Sequence, residues 1–298
     1  MIDGVRLSCD SGNDLLQGLL SSKYSDRILM SNKLQDNSDT GYRYLNKNGL
    51  DFRIGIKKNH IKGSLHKWFN AEYNLGEQNH SDFTYSQLTV AIDSLVSITG
   101  VNQLKISRLE VGFNIDSNLN LDTVIRNNFL FYKKETHNSL ETYDEKGLLK
   151  KFKTSKYDFK IYDKGLQYGL NKGNNITKLR IEIVYKTSSE LKKLKISHLE
   201  DLKDKIKLGN IFLDLLRKFK DLTIVDDFSS KRYKSEKCYL YKCTNPNYWE
   251  LFFKDKDPSY KHKLFREFNK KISELNLDKT KRFLTYELKE KYVFLING

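Results

Sequence analysis

The 298-residue chain has little cysteine, little proline and no long apolar run. Its cysteines, Cys9, Cys238 and Cys243, are odd in number and form no C-x-x-C pair, so neither a disulfide framework nor a zinc site is indicated. No stretch approaches the roughly 20 apolar residues of a transmembrane helix, and the opening MIDGVRLSCDSG has no apolar core behind a basic start. These absences favour a protein of the reducing cytoplasm, with no membrane span and no signal peptide.

Positive charge is in excess, with 53 Lys and Arg against 38 Asp and Glu, a formal net charge of +15. Lys and Arg contacts to phosphates release condensed counterions, so nucleic acid is the expected partner. An anionic membrane is disfavoured, because no basic amphipathic segment carries a broad apolar face. A lysine-rich surface that merely aids solubility remains the alternative.

The hydrophobic pattern predicts an α+β fold with a central, mostly antiparallel sheet and flanking helices. Residues 83–98 have helical spacing, with Ser81 or Asp82 as the cap and Gly100 just past the end. From about residue 187 the pattern is helical, and we expect domains at 1–205 and 206–298. Period-2 alternation predicts six strands, at 2–8, 50–57, 61–69, 105–115, 157–164 and 178–186.

Two predicted strands carry a charged pair on their polar face. In SRLEVGFNID the apolar row leaves Arg108 and Glu110 on the other side, and in KLRIEIVYK it leaves Arg180 and Glu182. A solvent-facing carboxylate paired with its neighbour would give the same pattern. Two Arg-x-Glu pairs beside a basic strand nevertheless indicate a site.

The segment NHIKGSLHKWFN places His60, Lys62, Ser64 and His66 on one parity if it is a regular strand, although Gly63 could introduce a bulge. Two imidazoles on one face, with a carboxylate nearby, are typical ligands of a divalent ion. The spacing matches no zinc signature, and hydrogen-bonded surface histidines are the alternative.

The segment FKIYDKG places Tyr162 between Lys160 and Lys164 on one strand face. Positive charge nearby favours the phenolate, and tyrosine is a known covalent nucleophile, so this strand is a candidate for phosphoryl chemistry. With 18 tyrosines in the chain, the pattern could also arise by chance.

The order of GSLHKWFN, a helix, SRLEVGFNID, FKIYDKG and LRIEIVYK resembles the replication initiators of filamentous phages, the gene II protein family, and related rolling-circle initiators distantly akin to the HUH nicking-joining endonucleases. The resemblance spans roughly residues 1–200. It implies a Rep-like tyrosine endonuclease domain at 1–205 and a helical DNA-binding or accessory domain at 206–298. It also implies a bacterial host cell.

The resemblance implies Tyr162 as the nucleophile and Lys164 as the residue that positions the phosphate. It implies His66 and Glu110 as ligands of Mg²⁺ or Mn²⁺, with Glu182 as a further ligand or a support for one. A full HUH pair is absent, so whether His60 or a carboxylate completes the coordination stays open. The expected DNA contacts are Lys160, Arg108, Arg180, Lys67 and Trp68.

The implied reaction is attack of Tyr162 on single-stranded or locally melted origin duplex DNA. It leaves a 5′-phosphotyrosine and a 3′-hydroxyl that host helicase and polymerase extend, with no small-molecule cofactor. Tyr168 could be a second nucleophile. The alternatives are a relaxase or transposase with the same chemistry, and a non-catalytic single-stranded nucleic-acid-binding protein in which Tyr162 stacks on a base.

Overall fold

The computed structural model describes residues 1–10, 12–30, 42–55, 59–133, 135–136, 139–143, 147–170, 177–251, 254 and 257–298. A large antiparallel sheet with helices packed against it, followed by several C-terminal helices, confirms the predicted α+β class. No helix among these residues is both long enough and apolar enough to cross a bilayer.

Thirteen strands are formed by the described residues: β1 (Ile2–Ser8), β2 (Leu29–Met30), β3 (Tyr42–Lys47), β4 (Leu50–Gly55), β5 (Asn59–Ser64), β6 (Lys105–Ser117), β7 (Phe129–Tyr132), β8 (Glu135–Thr136), β9 (Ser139–Tyr143), β10 (Gly147–Lys153), β11 (Tyr157–Asp163), β12 (Thr177–Tyr185) and β13 (Leu222–Ile224). Eleven α-helices accompany them: α1 (Gly12–Leu20), α2 (Leu65–Glu72), α3 (Tyr85–Thr99), α4 (Leu121–Thr123), α5 (Lys164–Gln167), α6 (Ser188–Lys193), α7 (Lys205–Lys220), α8 (Lys237–Thr244), α9 (Pro246–Leu251), α10 (Pro258–Glu274) and α11 (Lys279–Asn297).

The main sheet has the order β2-β3-β4-β5-β1-β6-β12-β11-β10-β9. Its centre is built from strands that the sequence pattern predicts, namely β1, β6, β11 and β12. The predicted strand at 50–57 corresponds to β4, which ends at Gly55, and residues 56–57 lie outside the described residues. A separate small sheet has the order β13-β7-β8.

The strand predicted at 61–69 is wrong in its second half, because α2 begins at Leu65. The side chain of Ser64 accepts a hydrogen bond from the backbone N–H of Lys67 and so caps the helix. Gly63 introduces no register shift with β1, but its φ of 143° lets it approach Gly49, whose carbonyl oxygen would lie 1.9 Å from a Cβ at that position. The chain passes directly from strand to helix, since β5 ends at Ser64 and α2 begins at Leu65.

One face of the sheet is apolar and is covered by helices. The alternating row of β6 that includes Leu109, Val111 and Phe113 is fully buried, and the Phe113 ring meets Phe212 of α7 edge to face, with centroids 5.6 Å apart. Phe212 stacks in turn on Tyr292 of α11, at 4.1 Å. Aromatic contacts of this kind add to the hydrophobic stabilisation of the core.

Helix α3 forms as predicted but is capped by Thr84 rather than by Ser81 or Asp82. Thr84 and Gln87 form a reciprocal capping box, so the helix begins later than the apolar spacing suggests. Gly100 ends the helix in the left-handed region, at φ 65°, as predicted.

The C-terminal helices contribute to two apolar cores. Residues of α7 and α11, among them Leu215 and Leu288, belong to the same buried cluster as the sheet. A second cluster is formed around Trp249 and Phe268, with Phe131 of β7. The predicted division at residues 205 and 206 stays a prediction, and it would cut through the larger of the two clusters.

Candidate active site

A polar cleft lies on the face of the sheet opposite the apolar row of β6. Strand pairing determines which side chains meet at the cleft, because directly paired residues project from the same face of the sheet. Lys160 of β11 pairs with Glu182 of β12, and Tyr162 pairs with Arg180. Glu182 and Arg180 pair in turn with Gly112 and Asn114 of β6. The cleft has a volume of about 690 Å³.

Arg180 links three strands beneath the cleft and is only 3% exposed. Its Nε donates to Glu182 Oε2 at 3.0 Å, its Nη1 to Asn114 Oδ1 at 2.9 Å and its Nη2 to Asp3 Oδ2 at 2.8 Å. Gly112 makes this arrangement possible, since a Cβ there would lie 2.6 Å from Arg180 Nη2. The guanidinium is therefore a fixed internal cation, and all three of its nitrogens donate to side chains of the protein.

Asp3 enters the cleft where β1 and β6 lose regular register, between Ile2 and Val5. Its carboxylate accepts hydrogen bonds from Arg180, from Asn79 Nδ2 at 2.7 Å and from the Ser64 hydroxyl. Burial opposes ionisation, but Arg180 and these hydrogen bonds outweigh it and hold the pKa of Asp3 far below its usual range. Asp3 is thus a buried anion that anchors Arg180.

Glu182 is the carboxylate that contacts the tyrosine. Its Oε1 accepts from Lys160 Nζ at 2.7 Å, and its Oε2 accepts from the Tyr162 hydroxyl at 3.2 Å. Burial alone would raise its pKa, but Lys160 and Arg180 outweigh burial and hold the pKa below its usual value. An ionised carboxylate therefore lies within hydrogen-bond distance of the phenolic proton.

The Tyr162 phenol is not acidified by its lysine neighbours, contrary to the expectation from the sequence. Burial raises its pKa well above 10, and the Glu182 carboxylate adds to that effect. Lys160 directs its ammonium to Glu182, and so the nearest charge to the hydroxyl is negative. The phenol is therefore neutral, and its hydroxyl donates a hydrogen bond to the ionised Glu182.

Lys164 begins α5 immediately after β11 and is only 2% exposed. Its Nζ lies 5.5 Å from the centroid of the Tyr162 ring and 4.9 Å from that of Tyr168. Burial, together with Arg180, lowers the pKa of the ammonium to about 7. Both rings attract the cation, and the side chain lines the cleft.

His66 does not reach the cleft wall. It lies on α2 rather than on the predicted strand, is 2% exposed, and its ring stacks on Phe83 with centroids 4.6 Å apart. Its Nε2 is 3.1 Å from the Ser81 hydroxyl. Burial, with added repulsion from the Met1 amino group, lowers the pKa of the imidazole to about 3, so it is neutral.

The predicted metal ligands do not form a common site. Glu110 pairs with Arg108 at 2.8 Å and lies 3.7 Å from Lys160, which also holds Glu182. Lys160 therefore occupies the space between the two carboxylates, and its pKa lies above the usual value because they outweigh the effect of burial. Within the described ranges, no three His, Cys, Asp or Glu residues are grouped to hold a metal ion.

The residues predicted to contact DNA have different environments. Lys160, Arg108 and Lys67 line the cleft, whereas Arg180 is buried beneath it. Trp68 is 1% exposed within the apolar core and offers no ring surface to a ligand. His60 lies on β5 beside a second groove and does not join His66.

Several residues of the cleft were not identified from the sequence. Asp3 and Asn79 are buried and hydrogen-bonded to each other, and Tyr168 donates to Asn79 Oδ1 at 2.6 Å. Asp3 lies between the buried Ile2 and Gly4 of a strand that also carries Arg6 and Ser8, so the sequence pattern does not single it out. Asn79 lies between elements, and no periodicity marks its position.

The chain matches no known protein-family profile and no curated protein. Among solved structures it is similar to a rolling circle replication initiator protein from Geobacillus stearothermophilus, with a TM-score of 0.43 and 14% identity. The similarity covers 78% of this chain and 89% of that one. A likeness at this level assigns no chemistry to individual residues.

Proposed function

We propose that this protein nicks and rejoins single-stranded DNA through a covalent bond to Tyr162. The observation that supports the proposal is the 3.2 Å hydrogen bond from the Tyr162 hydroxyl to the ionised Glu182, in an open cleft beside Lys160 and Lys164. A hydroxyl nucleophile next to a positioned base is the general arrangement of nucleophilic catalysis. The surrounding cations suit a phosphodiester substrate.

In the proposed reaction the Tyr162 oxygen attacks phosphorus while Glu182 accepts the phenolic proton. The bond from phosphorus to the 3′-oxygen breaks, and water supplies the proton that this oxygen needs. The products are a 5′-phosphotyrosine and a free 3′-hydroxyl. Attack by a 3′-hydroxyl on the phosphotyrosine reverses the step and rejoins the strand.

The electrostatic roles follow from where each cation lies. Lys164 is free to bind a non-bridging phosphate oxygen, because no carboxylate of the described residues lies within 4 Å of its Nζ. Lys160 keeps Glu182 ionised until the proton arrives. Arg180 and Asp3 hold the orientation of Glu182 and do not contact the substrate.

A requirement for Mg²⁺ or Mn²⁺ stays a prediction. The described residues do not fit the expected ligand set, because Lys160 lies between Glu110 and Glu182 while His66 is buried against Ser81. No step of the proposed reaction depends on a metal. Assays with either ion and with a chelator test this point directly.

We propose that this chemistry serves rolling-circle replication. The basis for this is the order in which the motifs occur in the sequence. Such replication would require host helicase and polymerase to extend the 3′-hydroxyl in the cytoplasm of a bacterial host. A relaxase or a transposase would use the same nicking and joining steps. Identification of the DNA strand joined to Tyr162 separates these processes.

The test is formation of a covalent adduct. Labelled single-stranded DNA carrying the origin of the encoding element is incubated with the protein and resolved on a denaturing gel. We expect a slow band that is lost in Tyr162→Phe and retained in Tyr168→Phe, while DNA affinity stays within about twofold because a single hydroxyl is removed. If DNA binds but no adduct forms under any metal condition, the protein is a binding protein instead.

A further inference from the structure

Three basic residues form a row across the sheet beside the cleft. Arg6 of β1 pairs directly with Lys62 of β5 and with Arg108 of β6. Side chains of directly paired residues project from the same face, so the row spans about 10 Å from Lys62 to Arg108 at the usual separation of strands. Arg108 contacts Glu110, which places the whole row on the face that carries the cleft.

The row costs stability unless an anion binds it. Like charges on directly opposed strand residues repel, and Arg6 has a cation on each side. Lys62 is compensated by Asp51 at 3.3 Å and Arg108 by Glu110 at 2.8 Å. Arg6 is exposed, and no carboxylate of the described part of the chain lies within 4 Å of its guanidinium.

The row also connects two cavities. Arg6 and Arg108 line both the cleft and a neighbouring groove of about 540 Å³. That groove is also lined by Asn59 and His60 of β5, by Lys186, which follows β12, and by Asp10. Burial, together with Arg6, lowers the pKa of His60, which leaves a neutral imidazole there that can pair with a base edge or stack on a base. A continuous basic path therefore leads from Tyr162 out across β1 and β6.

We infer that this path binds the single-stranded DNA that flanks the scissile phosphate, with Arg6 contacting a backbone phosphate and the groove around His60 receiving a nucleotide. The inference rests on the proposed function. A single strand fits better than a duplex, because the phosphate must reach a hydroxyl inside a cleft of about 690 Å³. Lys62, Arg6 and Arg108 contribute charge and carry no base preference.

The experiment measures binding of a fluorescent oligothymidylate of roughly 20 nucleotides across a range of KCl concentrations. Arg6→Ala is expected to weaken binding about fivefold and to reduce the slope of log K against log salt by about 0.7, the value for one lost phosphate contact on single-stranded nucleic acid. Arg6→Lys keeps the charge and should restore most of the slope. Arg217→Ala is the matched control, since Arg217 is exposed on α7, which packs on the opposite face.

Three results would overturn the inference: an unchanged slope in Arg6→Ala, an equal loss in Arg217→Ala, or equal competition by duplex and single strand for the wild-type protein. Failure of the proposed function has a different signature. The wild-type protein would then bind the oligonucleotide with the predicted dependence on Arg6 but would form no adduct with origin DNA.

Discussion

Lys160 and Tyr162, two residues apart on β11, both reach the same carboxylate, that of Glu182. The ammonium favours the ionised form of the carboxylate, which is the proton acceptor in the proposed reaction. Sequence spacing predicts the proximity of Lys160 and Tyr162 correctly but assigns the lysine to the wrong partner. The pairing of β11 with β12 places Glu182 beside both residues, and the spacing within β11 does not reveal which strand lies next to it.

Glu182→Gln tests the proton acceptor. The amide has nearly the same shape but cannot accept the phenolic proton, so nicking should fall by at least about 100-fold, within the usual range for general-base catalysis. Adduct yield over time is the measurement. Glu110→Gln is the control, because Glu110 lies on the same face without contacting Tyr162; an equal loss in both variants, together with loss of any Mn²⁺ dependence, would favour the metal-ligand role instead.

Lys164 predicts a pH dependence. Its pKa of about 7 in the free protein means that the ammonium is lost as pH rises through neutrality. If the charged form binds the phosphate, kcat/KM should fall tenfold per pH unit above about pH 7. Lys164→Arg, which stays charged, should remove this decline even if its maximal rate is lower. A flat profile in the wild-type protein would contradict the role.

His66 shows what a residue pattern cannot tell. Its parity with His60 holds only while the strand continues, and Ser64 ends the strand by capping α2. A serine before a helical stretch is a signal for the start of a helix, but the same residues also fit the period-2 alternation of a strand. The imidazole is consequently packed on Phe83, away from the carboxylates.

At the scale of elements, the sequence predicts the central strands well because each combines a buried apolar row with a polar row. Prediction fails where two helical segments are separated by a short break. The helical stretch from residue 187 divides into α6 and α7, with Lys195 in the left-handed region at φ 62° between them. No glycine or proline lies between the two helices, so the sequence gives no sign that the first helix ends there.

Gly112→Ala tests how closely β6 and Arg180 are fitted. The added methyl would lie 2.6 Å from Arg180 Nη2, so the guanidinium must shift and strain its contacts with Asp3 and Glu182. We expect a loss of about 1–3 kcal/mol in the free energy of unfolding in urea, and slower nicking.

Gly209→Ala is the matched control for this substitution. Gly209 lies inside α7, and its Cβ would meet only the Tyr292 hydroxyl at 3.5 Å, an ordinary contact. Alanine there should stabilise the protein by about 0.5–1 kcal/mol, because glycine is a poor helix former. Equal unfolding midpoints for the two variants would show that the close approach at Gly112 is unimportant.

At the scale of the whole molecule, the sheet and the last helix share one apolar cluster, whereas Trp249 belongs to another. The chain has two tryptophans, and Trp68 lies in the larger cluster. Trp68→Phe and Trp249→Phe variants therefore give separate fluorescence reports on the two cores.

Leu288→Ala, introduced in the Trp249→Phe background, tests whether the last helix stabilises the sheet. Leu288 is fully buried, so its truncation should lower the free energy of unfolding that Trp68 reports by about 2–5 kcal/mol. Urea unfolding followed by fluorescence is the measurement. An unchanged Trp68 transition would instead support an independent domain ending near residue 205.

Asp3 and Arg180, which meet beneath the cleft, are separated by 177 positions in the chain. A growing polypeptide cannot join them until β12 has left the ribosome, and pairings so distant in sequence form slowly. Shorter nascent chains already carry Tyr162 but lack Glu182, which accepts the hydrogen bond of its hydroxyl, and Arg180, which holds Glu182. Translation itself thus delays the completion of the proposed active site.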